Sequence, residues 1–146
     1  MTTPTPFNEI EHRFLTSGQS SLGRVATVGR DGTPHVVPSG WTYNEVLGTL
    51  DVTGRDVQTT KKFRDVARAG RAAIVIDGVA EGEGWNPWAI EIAGRAEAIY
   101  GPPALIRIHP ERVRSWGLGG ANAGGCAAFL QRLGRPCNDG GSASVA

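Results

Sequence analysis

Between Leu22 and Thr42 the chain runs as LGRVATV, breaks at Gly29-Arg30-Asp31-Gly32, and resumes after Thr33-Pro34 as HVVPSGWT. Asp-Gly between two strand-forming runs signals an antiparallel hairpin, because its tight turn needs backbone conformations that these two residues tolerate. That hairpin commits the domain to antiparallel sheet. Downstream, Leu47 to Thr53 predicts a third strand ending at Gly54, and Ala72 to Asp77 predicts a fourth. Ala89 to Tyr100 alternates Ile90 and Ile92 with Glu91 before Gly94 permits a bend or bulge. Twenty-one Gly and nine Pro punctuate these segments. The expectation is a mainly β fold, with long strands bent at glycines to turn the corners of a small barrel.

One helical segment interrupts the strands. In TTKKFRDVARAGR, residues 59–71, Phe63, Val66 and Ala67 have i, i+3, i+4 spacing and Gly70 is placed as a C-terminal stop. Lys61, Lys62 and Arg64 crowd the first turn, where the positive end of the helix dipole and the free N–H groups disfavour positive charge. An anion reverses that penalty. Free N–H groups, the hydroxyls of Thr59 and Thr60, and these cations together describe a phosphate site. A solvated basic face without a ligand is the other reading, and for charge runs in general it is the commoner one. Pro38 and Gly40 interrupt the returning hairpin strand, so a flat ring could lie against its freed backbone; an ordinary edge strand is the alternative.

The 146 residues suffice for one domain. Residues 1–7 are expected to be a disordered start, 8–118 the barrel, and 119–146 a Gly/Ala-rich tail in which 127–133 offers one helical turn. Phe7, Ile10, Phe14 and Leu15 share a helical face between Asn8 and Gly18, with His12 on the opposite, surface side. Gly78 to Pro87 reads as a loop. Leu105 to Ile108 reads as a strand, and His109 to Gly117 as a turn into a final short strand. A net charge of +1 argues against a nucleic-acid binder that neutralises many phosphates. No apolar run approaches the roughly 20 residues needed to span a bilayer, and the N-terminus lacks signal-peptide character, so the expected location is cytoplasmic with no membrane partner. Cys126 and Cys137 have no metal-ligand spacing, and His12, His35 and His109 fit no zinc pattern, so no metal is expected.

Nucleophile elbows, phosphate-binding P-loops and paired catalytic carboxylates are all missing, so no catalytic side chain is assigned. A phosphate site beside interrupted strands suits a cofactor that carries its own chemistry. The ordered set of the GRDG hairpin with PHVVPSGW, a strand ending DVTG, TTKKFRDVARAGRAAIVID, AIEIAGRAEAI and LIRIHPERVRSWGL resembles the pyridoxamine 5′-phosphate oxidase-like split β-barrel superfamily. Within it the match is nearest to the actinobacterial flavin/deazaflavin oxidoreductases of the B group, which use coenzyme F420. The resemblance spans roughly residues 8–118.

That resemblance implies a split-barrel homodimer with the cofactor in a groove at the subunit interface. Lys62 and Arg64, helped by Lys61 and by Thr59 or Thr60, would hold the cofactor phosphate. Val36, Val37, Pro38 and Ser39 would line the ring, Thr53 and Gly54 would flank it, and Trp116 would reach the partner's site. The implied activity is hydride transfer from reduced F420 to a small organic acceptor, with biliverdin-like tetrapyrroles and quinones as candidates. An FMN-dependent enzyme of the pyridoxamine phosphate oxidase type is an alternative, as is a non-catalytic flavin, haem or tetrapyrrole-binding module. Arg112 and Arg114 could attract the cofactor's acidic tail or a carboxylated substrate. The chain continues past the resemblance at SWGL, which leaves the tail's relation to the groove open.

Overall fold

Alternating apolar positions close six antiparallel strands into one barrel. The computed structural model describes residues 5–18 and 21–119. In chain order the elements are α1 (Glu9–Thr16), β1 (Gly23–Val28), β2 (Pro34–Asn44), β3 (Thr49–Thr53), a 3-10 turn (Val57–Thr59), α2 (Lys61–Ala69), β4 (Arg71–Val79), β5 (Pro87–Ile99) and β6 (Leu105–Trp116). Around the barrel the strands follow the order β1, β2, β3, β6, β5, β4. The Asp-Gly hairpin pairs β1 with β2 from Gly23↔Ser39 to Val28↔Pro34. Inward residues Val25, Leu50, Val52, Ile74, Ile76, Ile90, Ile92, Ile106 and Ile108 are almost fully buried and form the core.

The expected break near His109 is not there. Leu105 to Trp116 is one continuous strand, and β5 pairs with it along its length. The irregularity lies in the pairing: Ala93 faces Arg112 while Gly94 faces Pro110, which leaves Glu111 as the extra residue of a bulge. A proline fits there because no ladder N–H is required of it. Gly94 is obligatory for closeness, since a Cβ would run into the His109 carbonyl.

Each end of the barrel carries a helix. Asn8 caps α1 by accepting from the Glu11 amide at 2.9 Å, while Glu11 accepts from the Asn8 amide at 2.9 Å. Phe14 packs on Trp88 with ring centroids 5.2 Å apart, and Phe7 meets Tyr43 edge-on at 5.5 Å. His12, on the outer side, pairs with Glu45 at 3.2 Å. At the other end α2 packs Phe63 edge-on against Tyr100 at 5.0 Å, and Gly70 closes it in the left-handed conformation at φ 69°. The expected apolar stripe of α2 is corrected: Ala67 is exposed, and the buried face comprises Lys62, Phe63, Asp65 and Val66. Residues 1–4 and the suggested helical turn at 127–133 lie outside the described residues.

Candidate functional site

A notch follows from unequal strand lengths. Strand β2 pairs with β1 over its first half, whereas β3 pairs with β2 only from Gly40↔Thr53 to Asn44↔Thr49. Among the described residues the β3-side edge of Pro34–Ser39 therefore has no strand partner. The chain leaves β3 at Gly54 and re-enters through the 3-10 turn into α2. The notch is thus bounded by the first half of β2, by Thr53 and Gly54, and by the segment leading to α2. Alternation divides the β2 residues: Val37 and Ser39 face inward opposite Val25 and Gly23, while Val36, 60% exposed, and Pro38 face outward. The Ser39 hydroxyl is buried without a hydrogen-bond partner among the described residues. Trp116 is not brought to this notch within one chain, because it pairs with Ala89 at the far end of β6.

The first turn of α2 separates its cations by what they already hold. Thr60 caps the helix, donating to the Val57 carbonyl at 2.5 Å and accepting from the Phe63 amide at 3.4 Å. The Thr59 hydroxyl donates to the Asp56 carbonyl at 2.8 Å. Both hydroxyls expected to serve a phosphate are thus engaged in shaping the turn. Arg64 donates to the Thr59 carbonyl at 2.8 Å, and Lys61 is paired with Asp65 at 2.9 Å. Lys62 differs. It is only 9% exposed and makes no ion pair or side-chain hydrogen bond among the described residues. Burial pushes its ammonium pKa down, the mark of a charge without compensation. An anionic group fits such a charge.

Below these cations lies a cluster that periodicity did not single out. Asp65 is 3% exposed and accepts from Thr27 at 2.8 Å, from Lys61 at 2.9 and 3.0 Å, and from Arg68 at 3.4 Å. Burial works to raise its carboxyl pKa, but the hydrogen bonds from Lys61 and Thr27, the Lys61 charge and Arg68 together hold it down at about 2. Arg68 also donates to the Val28 carbonyl, which ties α2 to the end of β1. Lys61 reaches over the hairpin turn: its Nζ would stand 3.2 Å from a Cβ at Gly29. His35, opposite Thr27 in the hairpin, has its Nδ1 buried without a hydrogen bond, 3.9 Å from Asp65 Oδ2. The one sequence signal for this cluster is the i, i+4 spacing of Lys61 and Asp65. Among the described residues no group of three His, Cys, Asp or Glu side chains could hold a metal ion.

A closed barrel of six antiparallel strands has known counterparts. The sequence pattern of pyridoxamine 5′-phosphate oxidase matches residues 10–117. The chain belongs to that family. A 5a,11a-dehydrotetracycline/5a,11a-dehydrooxytetracycline reductase from Streptomyces rimosus is 37% identical over 124 residues, covering 79% of this chain and 86% of the reductase. Among solved structures, a conserved hypothetical protein from Mycobacterium tuberculosis aligns over 99% of both chains at 16% identity with a TM-score of 0.63. A haem-binding protein from Mycobacterium smegmatis aligns over 76% of this chain at 19% identity with a TM-score of 0.57. The chain spans 55% of that protein's length. An F420 reductase aligns over 66% of this chain and 90% of its own, at 17% identity and a TM-score of 0.50. These structural likenesses show the split-barrel fold, while family membership and the Streptomyces reductase support an oxidoreductase with a flavin-type cofactor. No helix among the described residues is long and apolar enough to cross a membrane.

Proposed function

We propose that the protein is a coenzyme F420-dependent reductase that passes a hydride to a conjugated organic acceptor. The observation that carries this reading is Lys62, a lysine with a largely buried side chain and no charged partner among the described residues, in the first turn of α2, the helix that follows the Thr53–Gly54 border of the notch. Lys62 would hold the cofactor phosphate, with Arg64 and Lys61 adding charge at the mouth. Val36 to Ser39 would border the ring on one side and Thr53 with Gly54 on the other. Reduced F420 supplies the hydride from its deazaflavin ring. The chain's own task is then to bind, to orient and to keep water from one face of the ring, which accords with a site lacking a catalytic triad. The choice of F420 over FMN is supported by the resemblance of KKFRDVARAGRAA and IHPERVRSWGL to the deazaflavin group, and by the F420 reductase among the structural neighbours.

A cytoplasmic homodimer acting on a small molecule is part of the same proposal. The register sets Val36, Ala26, Ala73 and Ala93 in one outward row across β2, β1, β4 and β5, small and uncharged throughout. A row of that kind suits packing against a second copy, which would bring the partner's Trp116 toward the notch. The acceptor class we assign is an extended conjugated carbonyl compound. Dehydrotetracyclines, the substrates of the Streptomyces relative, share that chemistry with biliverdin-like tetrapyrroles and quinones. The test is anaerobic reoxidation of reduced F420 by such a panel: turnover with at least one member is expected, and none with any member would remove the reductase reading. The family match favours one second reading, an FMN-dependent oxidase, which would instead consume oxygen with bound FMN.

A further inference from the structure

Given the phosphate site proposed above, we infer that Asp65 exchanges Lys61 for His35 when the phosphate binds. Asp65 is a buried carboxylate, and a buried charge that loses its partner is strongly penalised. Its charged partners are Lys61, close at 2.9 Å, and Arg68, at the long distance of 3.4 Å. The Lys61 side chain is 48% exposed and its ammonium lies over Gly29 at the rim, where an anion on α2 would meet it. Drawing that ammonium toward a phosphate takes two hydrogen bonds from Asp65 and leaves it with Thr27 and the single Arg68 contact at 3.4 Å.

His35 is placed to fill the vacancy. Its Nδ1 is buried and lacks a hydrogen bond among the described residues, yet stands 3.9 Å from Asp65 Oδ2. That is too long for a hydrogen bond, and a shift of roughly 1 Å would make one. A buried ring nitrogen without a partner is uncommon in folded proteins. The exchange accounts for it, because the nitrogen is waiting for the liganded state. The charged groups around His35 are Asp65, Lys61 and Arg68 from α2, with Asp31 on the hairpin turn near Lys61; Thr27, on β1, is neutral.

With Lys61 held by the phosphate, the imidazolium form of His35 gains Asp65 as counter-ion and loses a cationic neighbour. His35 acts as a positioning residue here, because it keeps Asp65 compensated while Lys61 serves the ligand.

The test is NMR of the imidazole nitrogens in the intact chain, with F420 as the ligand and tryptophan quenching as an independent report of binding. On F420 binding to the wild type, a hydrogen-bonded Nδ1–H at His35 should appear. Lys61→Gln, at a half-exposed position, should show that bonded Nδ1–H without any ligand. Asp65→Leu, which removes the acceptor, should not show it under any condition. An unchanged His35 in wild-type protein that quenching shows to be loaded would overturn the exchange and leave the phosphate site standing. A Lys61→Gln protein whose Nδ1 matches the unliganded wild type would overturn it as well. Absence of F420 binding to the wild type would remove the exchange together with the site it depends on.

Discussion

The two ends of the barrel are closed by helices of nearly equal length, yet they are built on opposite terms. At the α1 end the buried acid is fully satisfied: Glu11 accepts from the Asn8 amide on one oxygen and from the Ser115 hydroxyl, at 2.6 Å, on the other. Around it Phe7, Phe14, Tyr43 and Trp88 form an aromatic plug. At the α2 end the helix starts with cations instead of acids, and among the described residues the largely buried Lys62 has no partner and His35 Nδ1 no hydrogen bond. Uncompensated polar groups cost stability, so one expects them where a ligand completes the structure. On the proposed reading, one cap holds the fold together while the other is left incomplete for binding.

The division can be broken by moving each function to the wrong end. The largest effect is expected from Phe14→Ala, which empties a fully buried aromatic site and should cost about 3–5 kcal/mol in urea unfolding. F420 affinity of the protein that remains folded should not change; a loss of affinity larger than the loss of stability would blur the two ends. Next comes Lys62→Ala. Removing one charged contact, worth about 1.5–3 kcal/mol, should weaken F420 binding at least tenfold. Lys62→Met, which keeps the buried stem and removes only the charge, should be no less stable than the wild type without ligand. A clear drop in unliganded stability would make Lys62 a structural residue instead.

The acid limb of the stability curve sharpens the picture at α2. Because folding holds the Asp65 carboxyl at about 2 against 3.8 unperturbed, its contribution is present above the unfolded value and is lost as pH falls from near 4 toward 2. Asp65→Asn should lower stability at neutral pH and flatten the curve in that window, as read by urea unfolding at several pH values. An unaltered acid limb would show that the Thr27, Lys61 and Arg68 contacts do not stabilise the carboxylate. The smallest change should come from Ser115→Ala, which removes one hydrogen bond to Glu11 and should cost about 1 kcal/mol without touching cofactor affinity.

Much of the barrel was legible because it is written locally. The Asp-Gly turn, the alternation of Ile90 with Ile92, and the glycine after the Phe63–Val66 face each act within a few residues. What was not legible depended on partners far away in sequence. Apolar spacing selected Ala67 for the buried face of α2, whereas that face holds Lys62 and Asp65, the latter hydrogen-bonded by Thr27, 38 residues upstream. Pro110 with Glu111 looked like the end of a strand, because the bulge that absorbs them is set by Gly94 on a different strand. At the proposed site, the spacing of Lys61, Lys62 and Arg64 placed all three in the first turn of a helix, as observed, but did not show how the three differ. Only the folded neighbours show that Lys61 is tied to Asp65, Arg64 to the backbone, and Lys62 to nothing among the described residues.

The central claim is that the incomplete end receives the phosphate of F420. The most direct measurement is a parallel equilibrium titration of wild type and Lys62→Ala with F420 and with FMN, followed by tryptophan quenching. The account predicts tight F420 binding and weaker FMN binding to the wild type, with F420 affinity reduced at least tenfold in the variant. Preference for FMN, or F420 binding indifferent to Lys62, would contradict it.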